Sequence, residues 1–286
     1  MNNLSGVGLG LRREMLRELC GQLPDTVDFW EIAPENWIPL GGSYHKVLTQ
    51  FTKANNFVAH GLSLSIGSPD PLDINFVKEV KHFLNQHNIL YYSDHLSYCS
   101  GNGHLYDLMP IPFTEEAIHY VSDRIKQVQD ILERPLLMEN VSYYAAPGKE
   151  LTELEFTQGV LQESGCLMLL DVNNIYVNSV NHGYDAEEFL ANLPTDRIVY
   201  GHIAGHFNEA EDLIVDTHGA DVVEPVWKLL EKAYEIHGVF PTLLERDFNI
   251  PPIAELLLEV EQIRKIQHQY QQSEIKGTIK NAMRSA

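Results

Sequence analysis

Seven short stretches of the chain place an imidazole or a carboxylate at the end of an apolar run. They are Glu31 in DFWEI, His60 in FVAH, His95 behind Asp94 in ILYYSDH, Glu139 in PLLMEN, Asp171 in LMLLDV, His202 in IVYGHI and Glu245 in TLLERD. Groups in such runs are buried, and an unpaired buried charge is very costly. Several carboxylates together cannot neutralise one another, so multivalent cations are the economical compensation. Asp171 and Asn173 stand two apart, as same-face neighbours on a strand do, and Asp216-x-His218 repeats that interval. His206 follows His202 by four. If His60, His95, Glu139, Asp171, Asn173, His202, His206, Asp216, His218 and Glu245 converge, they exceed the roughly six donors one such ion accepts, so two or three ions are implied. Mixed imidazole and carboxylate donors suit iron, manganese or zinc, and the lack of clustered thiolates argues against an iron–sulfur centre.

Blander readings claim part of this pattern. In a chain with 40 acids and 13 histidines, some strand ends carry such groups by chance. His45, His82, His87, His119, His237 and His268 fall in helix-like segments and read as structural, and His104 and His182 in loops lean the same way. Glu31 precedes the turn-like PENW and reads as a cap or a structural partner. Ser63 and Ser65 have no His or Asp at a nucleophile elbow, which disfavours a hydrolase triad. Gly101-Asn102-Gly103 reads as a hairpin turn, and the Tyr91–Tyr92 and Tyr143–Tyr144 pairs as core packing before a substrate mouth.

The elements that must position these groups recur regularly. Strand-like runs lie at 5–9, 28–32, 57–66, 89–96, 135–141, 167–176, 198–204 and 242–247. Most are continuously apolar, as strands buried on both faces are. Helical spacing marks 43–55, 73–87, 114–133, 151–163, 184–192, 222–237 and 252–268, with Asp73 and Thr152 as the clearest caps. Every interval between strand starts is long enough for a crossover helix. Eight strand–helix units predict a single (β/α)8 barrel, and the absence of GxGxxG after the first strand disfavours the doubly wound rival. The barrel is expected over 1–268, followed by a polar, mildly basic tail at 269–286 that reads as a surface extension or a docking segment.

Composition narrows the function classes. The 286 residues are 44 % hydrophobic and 9 % aromatic, with a formal charge of −20. Such a chain repels phosphate backbones and anionic membranes, so nucleic acid and membrane are excluded as general partners, and a peptide partner with basic or neutral residues is expected. Cys20, Cys99 and Cys166 form no CxxC pair and predict no disulfide framework. The sequence MNNLSGVGLGLRRE lacks a basic segment followed by an apolar one, so a soluble cytoplasmic protein without a secretory signal is the expectation.

Several longer motifs belong together: GVGLGLR, EIAPENW, AHGLSLSIGS, SDHLSY, MENVS, LLDVNNIYVN, GHIAGH, DTHG and LLERD. In order and spacing the chain resembles the multinuclear non-heme iron-dependent oxidative enzymes, the methanobactin-biosynthesis-oxidase-like family, over about 5–260. The resemblance implies a TIM barrel like that of xylose isomerase and endonuclease IV, holding two or three irons. It assigns His60, His95 and Glu139 to one iron, and Glu139, Asp171, His202 and Glu245 to the central one. Asn173, His206, Asp216 and His218 fall to the third. It also implies O2-dependent modification of cysteine residues in a ribosomally made precursor peptide, presented by a small partner protein. Asp247, two residues beyond Glu245, is the expected catalytic base. The competing expectations are a divalent-metal hydrolase or sugar isomerase on the same barrel, and a non-catalytic metal- or peptide-binding protein. A DNA-directed hydrolase would need a basic face, and a sugar isomerase a catalytic lysine or a phosphate site.

Overall fold

The computed structural model describes residues 4–101 and 103–284, residue 104 and the last twelve of these by backbone alone. Eight strands form a closed barrel: β1 Val7–Gly10, β2 Phe29–Ile32, β3 Asn56–His60, β4 Tyr92–His95, β5 Leu137–Glu139, β6 Leu167–Asp171, β7 Ile198–Ile203 and β8 Thr242–Leu244. Each is parallel to its sequence neighbour, and β1 pairs with both β2 and β8 to close the ring. All eight expected strands are present, shorter than their apolar runs. A strand ends where its backbone leaves the ladder, not where hydrophobicity stops.

Helices cover the outside: α1 Leu16–Leu19, α2 Gly42–Ala54, α3 Ile74–Gln86, α4 Glu115–Leu132, α5 Glu153–Ser164, α6 Val172–His182, α7 Ala186–Ala191, α8 Glu224–His237 and α9 Ile253–Arg284. Helix α4 shows why these segments fold as they do. The Thr114 hydroxyl accepts from Ala117 N, Glu115 and Glu116 stand in the first turn, and Ile118, Val121, Ile125, Val128 and Leu132 are buried on one stripe. Thr152 and Glu155 make a reciprocal capping box on α5, and Asp73 caps α3. Gln267 on α9 donates to Gly6 O and Phe240 O, each at 3.1 Å, tying that helix to the seam between β1 and β8.

Three features depart from the sequence reading. The run 167–176 is not one strand: β6 stops at Asp171, whose carboxylate accepts from Asn174 N at 2.6 Å and caps α6. Asp171 and Asn173 are therefore not alternate residues of a strand, because a helix starts between them. Two antiparallel hairpins, Ser97–Ser100 with His104–Pro110 and Phe207–Ala210 with Leu213–Val215, also stand on the loops after β4 and β7. The first turns at 101–103 as expected, with Asn102 itself outside the described residues. Finally, α9 continues past 268 to Arg284 in a polar stretch free of proline. Residues 285–286 of the expected tail lie outside the described residues.

Candidate metal centre

Alternation along the strands builds the site. Phe29, Val58, Leu137, Leu169, Tyr200 and Leu243 point into the barrel and form an apolar floor. Two residues further on, toward the C-terminal mouth, stand Glu31, His60, Glu139, Asp171, His202 and Glu245. A period of two puts both sets on the inner face, so the second forms a layer directly above the first. In β4 the same step leads from Ser93 to His95. Strand β1 supplies no side chain here. A Cβ at Gly8 would sit 2.5 Å from the Phe29 ring, and one at Gly10 would sit 2.8 Å from the Arg12 guanidinium.

The layer above the floor is almost sealed: none of Glu31, His60, Glu139, Asp171, His202 and Glu245 exceeds 5 % exposure. Glu139 Oε2 lies 3.2 Å from both His60 Nε2 and His95 Nε2. Its other oxygen is 3.2 Å from His202 Nδ1, which Glu245 Oε2 approaches to 2.9 Å and Asp171 Oδ2 to 4.0 Å. Donor atoms of His60, His95 and Glu139 therefore lie within 4.8 Å of one another, as do those of Glu139, Asp171, His202 and Glu245. The two groups share Glu139. His60, His202 and Glu245 form a third group, and His218, Glu245 and Asp247 a fourth.

The remaining expected donors continue from His218 as a chain. His218 Nε2 is 2.9 Å from Asp216 Oδ1, which accepts from Asn173 Nδ2 at 2.9 Å, and Asn173 Oδ1 meets His206 Nδ1 at 2.7 Å. Every donor expected from sequence is thus brought to the barrel mouth. His218 holds a left-handed backbone conformation, φ 46°, unusual for a β-substituted residue, with its carbonyl fixed by Asp247 N at 2.9 Å. The helix-borne histidines lie elsewhere: His87 bonds Thr52 and His237 bonds Thr195. His182 stacks on Tyr143, and the three cysteines are free thiols.

One participant, Arg12, escaped the sequence reading, and another, Glu31, is the buried partner that reading allowed for rather than a cap. Glu31 accepts from the Tyr200 hydroxyl at 2.8 Å and lies 2.9 Å from His202 Nε2, so it belongs to the buried layer and caps nothing. Its position two after the inward Phe29 places it in the layer. Arg12 ion-pairs with Asp247 and lies 3.3 Å from Glu245. Other side chains hold the donors in place. Asn140 exchanges hydrogen bonds with the Asp171 backbone at 2.8 and 2.9 Å, and Ser93 reaches His60 Nδ1 at 2.8 Å.

The donor set fits multivalent cations. Glu139 Oε2, Asp171 Oδ2, Glu245 Oε2 and His218 Nε2 are buried, and although charged neighbours stand close, none of these atoms makes a well-aligned hydrogen bond; a cation among the donors would satisfy them. The same crowding shifts the proton affinities of the donors in opposite directions. Burial opposes charge on His60, yet Glu139 raises its pKa to about 9. Burial and the His60 charge push His95 down to about 4. Burial and Glu139 drive Asp171 well up, whereas burial of Glu245 is outweighed by His202 and His218, which hold it well below the carboxylate range. Burial and Glu245 raise Asp247, but the hydrogen bond from His218 and the Arg12 charge prevail and lower it. Cation binding would displace protons from such histidines.

Above the layer a cleft of about 650 Å³ opens between Arg12, Trp37, His60, His95, Tyr106 and Phe248. A recess of about 190 Å³ adjoins it and reaches Glu139, Asp216 and His218. The cleft accepts several atoms beyond a single side chain.

Comparison with known proteins identifies the family and the fold. Residues 6–268 match the family described as RiPP precursor modification enzyme MbnB/TglH/ChrH. A UPF0276 protein of Shewanella sediminis is 65 % identical over 268 residues, covering 94 % of this chain and 96 % of its own. One of Pseudomonas aeruginosa is 49 % identical over 274 residues, covering 96 % of each. Among solved structures, a D-tagatose 3-epimerase-like protein superposes with a TM-score of 0.59 at 12 % identity, over 93 % of this chain and 99 % of that one. The IolI protein with a bound zinc atom reaches 0.58 at 14 % identity, over 93 % and 96 %. At such identities these two show the (β/α)8 barrel fold and nothing of the chemistry.

Proposed function

The chain belongs to the MbnB/TglH/ChrH family of RiPP precursor modification enzymes, and we propose that it holds two or three iron ions and uses O2 to oxidise cysteine residues of a ribosomally made precursor peptide. The observation that carries this reading is the sharing of buried carboxylates. Glu139 stands in two of the donor groups and Glu245 in three, one of them common to both. The donors gathered at the mouth also outnumber the roughly six that one such ion accepts.

In this reading His60, His95 and Glu139 hold one ion and Glu139, Asp171, His202 and Glu245 the central one. Asn173, His206, Asp216 and His218 serve the third. Manganese or zinc would suit the same donors as substitutes. Bound iron would acidify a substrate thiol and activate O2 beside it.

The chain's own residues do the rest. The cleft walls at Trp37, Tyr106 and Phe248 orient the peptide and exclude water from the buried layer. Asp247 takes the proton released from the cysteine, and Arg12 holds its carboxylate in place at 2.9 Å through Nε. A small partner protein presents the precursor, and the reaction takes place in the cytoplasm. The described residues include no helix long and apolar enough to cross a membrane.

The test is to load the protein anaerobically with Fe(II), then add O2 and the peptide encoded beside its gene. O2 consumption with loss of hydrogen mass from the cysteine peptide, and none from its Cys→Ser counterpart, is expected. Zinc-only occupancy with hydrolase or isomerase activity would overturn the oxidase reading. Full iron loading without O2 consumption on any thiol peptide would reduce the protein to a binding role.

A further inference from the structure

The acids are unevenly spread. The chain carries 40 acids against 20 bases, yet residues 36–69 contain no Asp or Glu at all. That stretch forms α2, β3 and the loops around them, and α2 adds Lys46 and Lys53 to the surface. With the segment around α1 it frames a groove of about 610 Å³ walled by Arg13, Arg17, Tyr44 and Val47, with Glu14 as the acid on its wall. The groove shares Arg13 and Glu14 with the cleft above the metal centre, so the two run together.

The arginines here are not spent. Arg12, Arg197, Arg246 and Arg264 each pair with a carboxylate. Among the described residues, neither Arg13 nor Arg17 is in an ion pair. Both are exposed, and Tyr44 between them is 45 % exposed. Two free guanidinium forks beside an open aromatic ring suit carboxylates on an extended chain. The whole-chain charge would repel an acidic ligand, but screening over about 8–10 Å makes the local groups decide at contact.

We propose that this groove receives an acidic segment of the precursor peptide, its Asp or Glu side chains pairing with Arg13 and Arg17, while the cysteine enters the adjoining cleft. The placement of the cysteine rests on the oxidase reading given above; the charge recognition does not. This inverts, at the mouth of the site, the preference that the net charge of the whole chain suggests.

Fluorescein-labelled synthetic peptides carrying one cysteine beside a run of glutamates, serines or lysines test it by fluorescence anisotropy on the iron-loaded protein. The glutamate peptide is expected to bind about tenfold tighter than the serine peptide, about 1.4 kcal/mol, and the lysine peptide weakest. The Arg13→Ser/Arg17→Ser double variant should lose the preference, as should the wild type at high salt. Arg13→Glu/Arg17→Glu should favour the lysine peptide. Equal binding of the glutamate and lysine peptides, a preference that survives the double substitution, or no binding of any peptide would overturn the assignment. Replacing the cysteine by serine separates the two readings. If charge selection persists but the cysteine makes no difference, the oxidase reading fails and the groove stands.

Discussion

The floor and the layer above it lie two residues apart on the same strands and are equally buried, yet they do opposite things. Phe29, Val58, Leu137, Leu169, Tyr200 and Leu243 are fully inaccessible, and their burial is what closes the barrel, at about 25 cal/mol for each Å² of apolar surface removed from water. Glu31, His60, Glu139, Asp171, His202 and Glu245 are nearly as inaccessible, but burying them costs free energy that their mutual pairing offsets only in part. The inner face of the barrel is therefore divided by height. The lower level stabilises the fold, and the upper level is held at a cost that a metal cluster would repay.

Substitutions at the two levels should separate cleanly. Glu139→Gln removes the carboxylate common to two donor groups. Bound iron should fall and turnover drop by on the order of 10³-fold or more, while the metal-free protein melts no lower than wild type; iron per chain and thermal melts check both. Leu169→Ala, two residues below Asp171, should do the reverse. It should cost about 2–5 kcal/mol of stability and leave iron per folded chain unchanged, measured by denaturant titration beside metal analysis. A Leu169 variant that folds normally but loses its metal would break the division.

Asp247→Asn tests the rim of the upper level. The expected loss is about 10²-fold in turnover with a changed pH profile, and an unchanged profile would remove Asp247 from the proton step. Glu153, a buried carboxyl on α5 away from the metal donors, is the control. Burial raises its pKa from 4.5 to about 7, against hydrogen bonds from Asn178 and Tyr143. The folded protein thus keeps a proton that the unfolded chain releases, so wild-type stability should decline as pH rises from about 4.5 to about 7. Glu153→Gln should abolish that decline and melt a few degrees higher at pH 8. Melting curves across this range would show it.

Much of this division can be read from the chain. Apolar runs placed all eight strands, and helical spacing with caps such as Asp73 and Thr152 placed the helices other than α1 and α6. The expected donors stood out because polar groups interrupted those runs. What could not be read follows from geometry that local spacing does not encode. Arg12 meets Asp247 across 235 residues of sequence, and nothing local foretells the pairing. Asn173 reaches Asp216 from a helix, because the cap formed by Asp171 breaks the strand alternation. Glu31 looked like part of a turn because Pro34 follows closely, yet its backbone is still paired with Gly10 and Val58 in the ladder. The two hairpins lie on polar or mixed segments whose pairing is fixed only where the barrel mouth holds their ends.

Metal stoichiometry tests the central claim most directly. Protein prepared anaerobically with Fe(II), desalted and measured for iron per folded chain should carry two or three ions, and Glu139→Gln should release more than one of them. Saturation at a single ion, or a content unaffected by Glu139→Gln, would contradict a shared-carboxylate cluster.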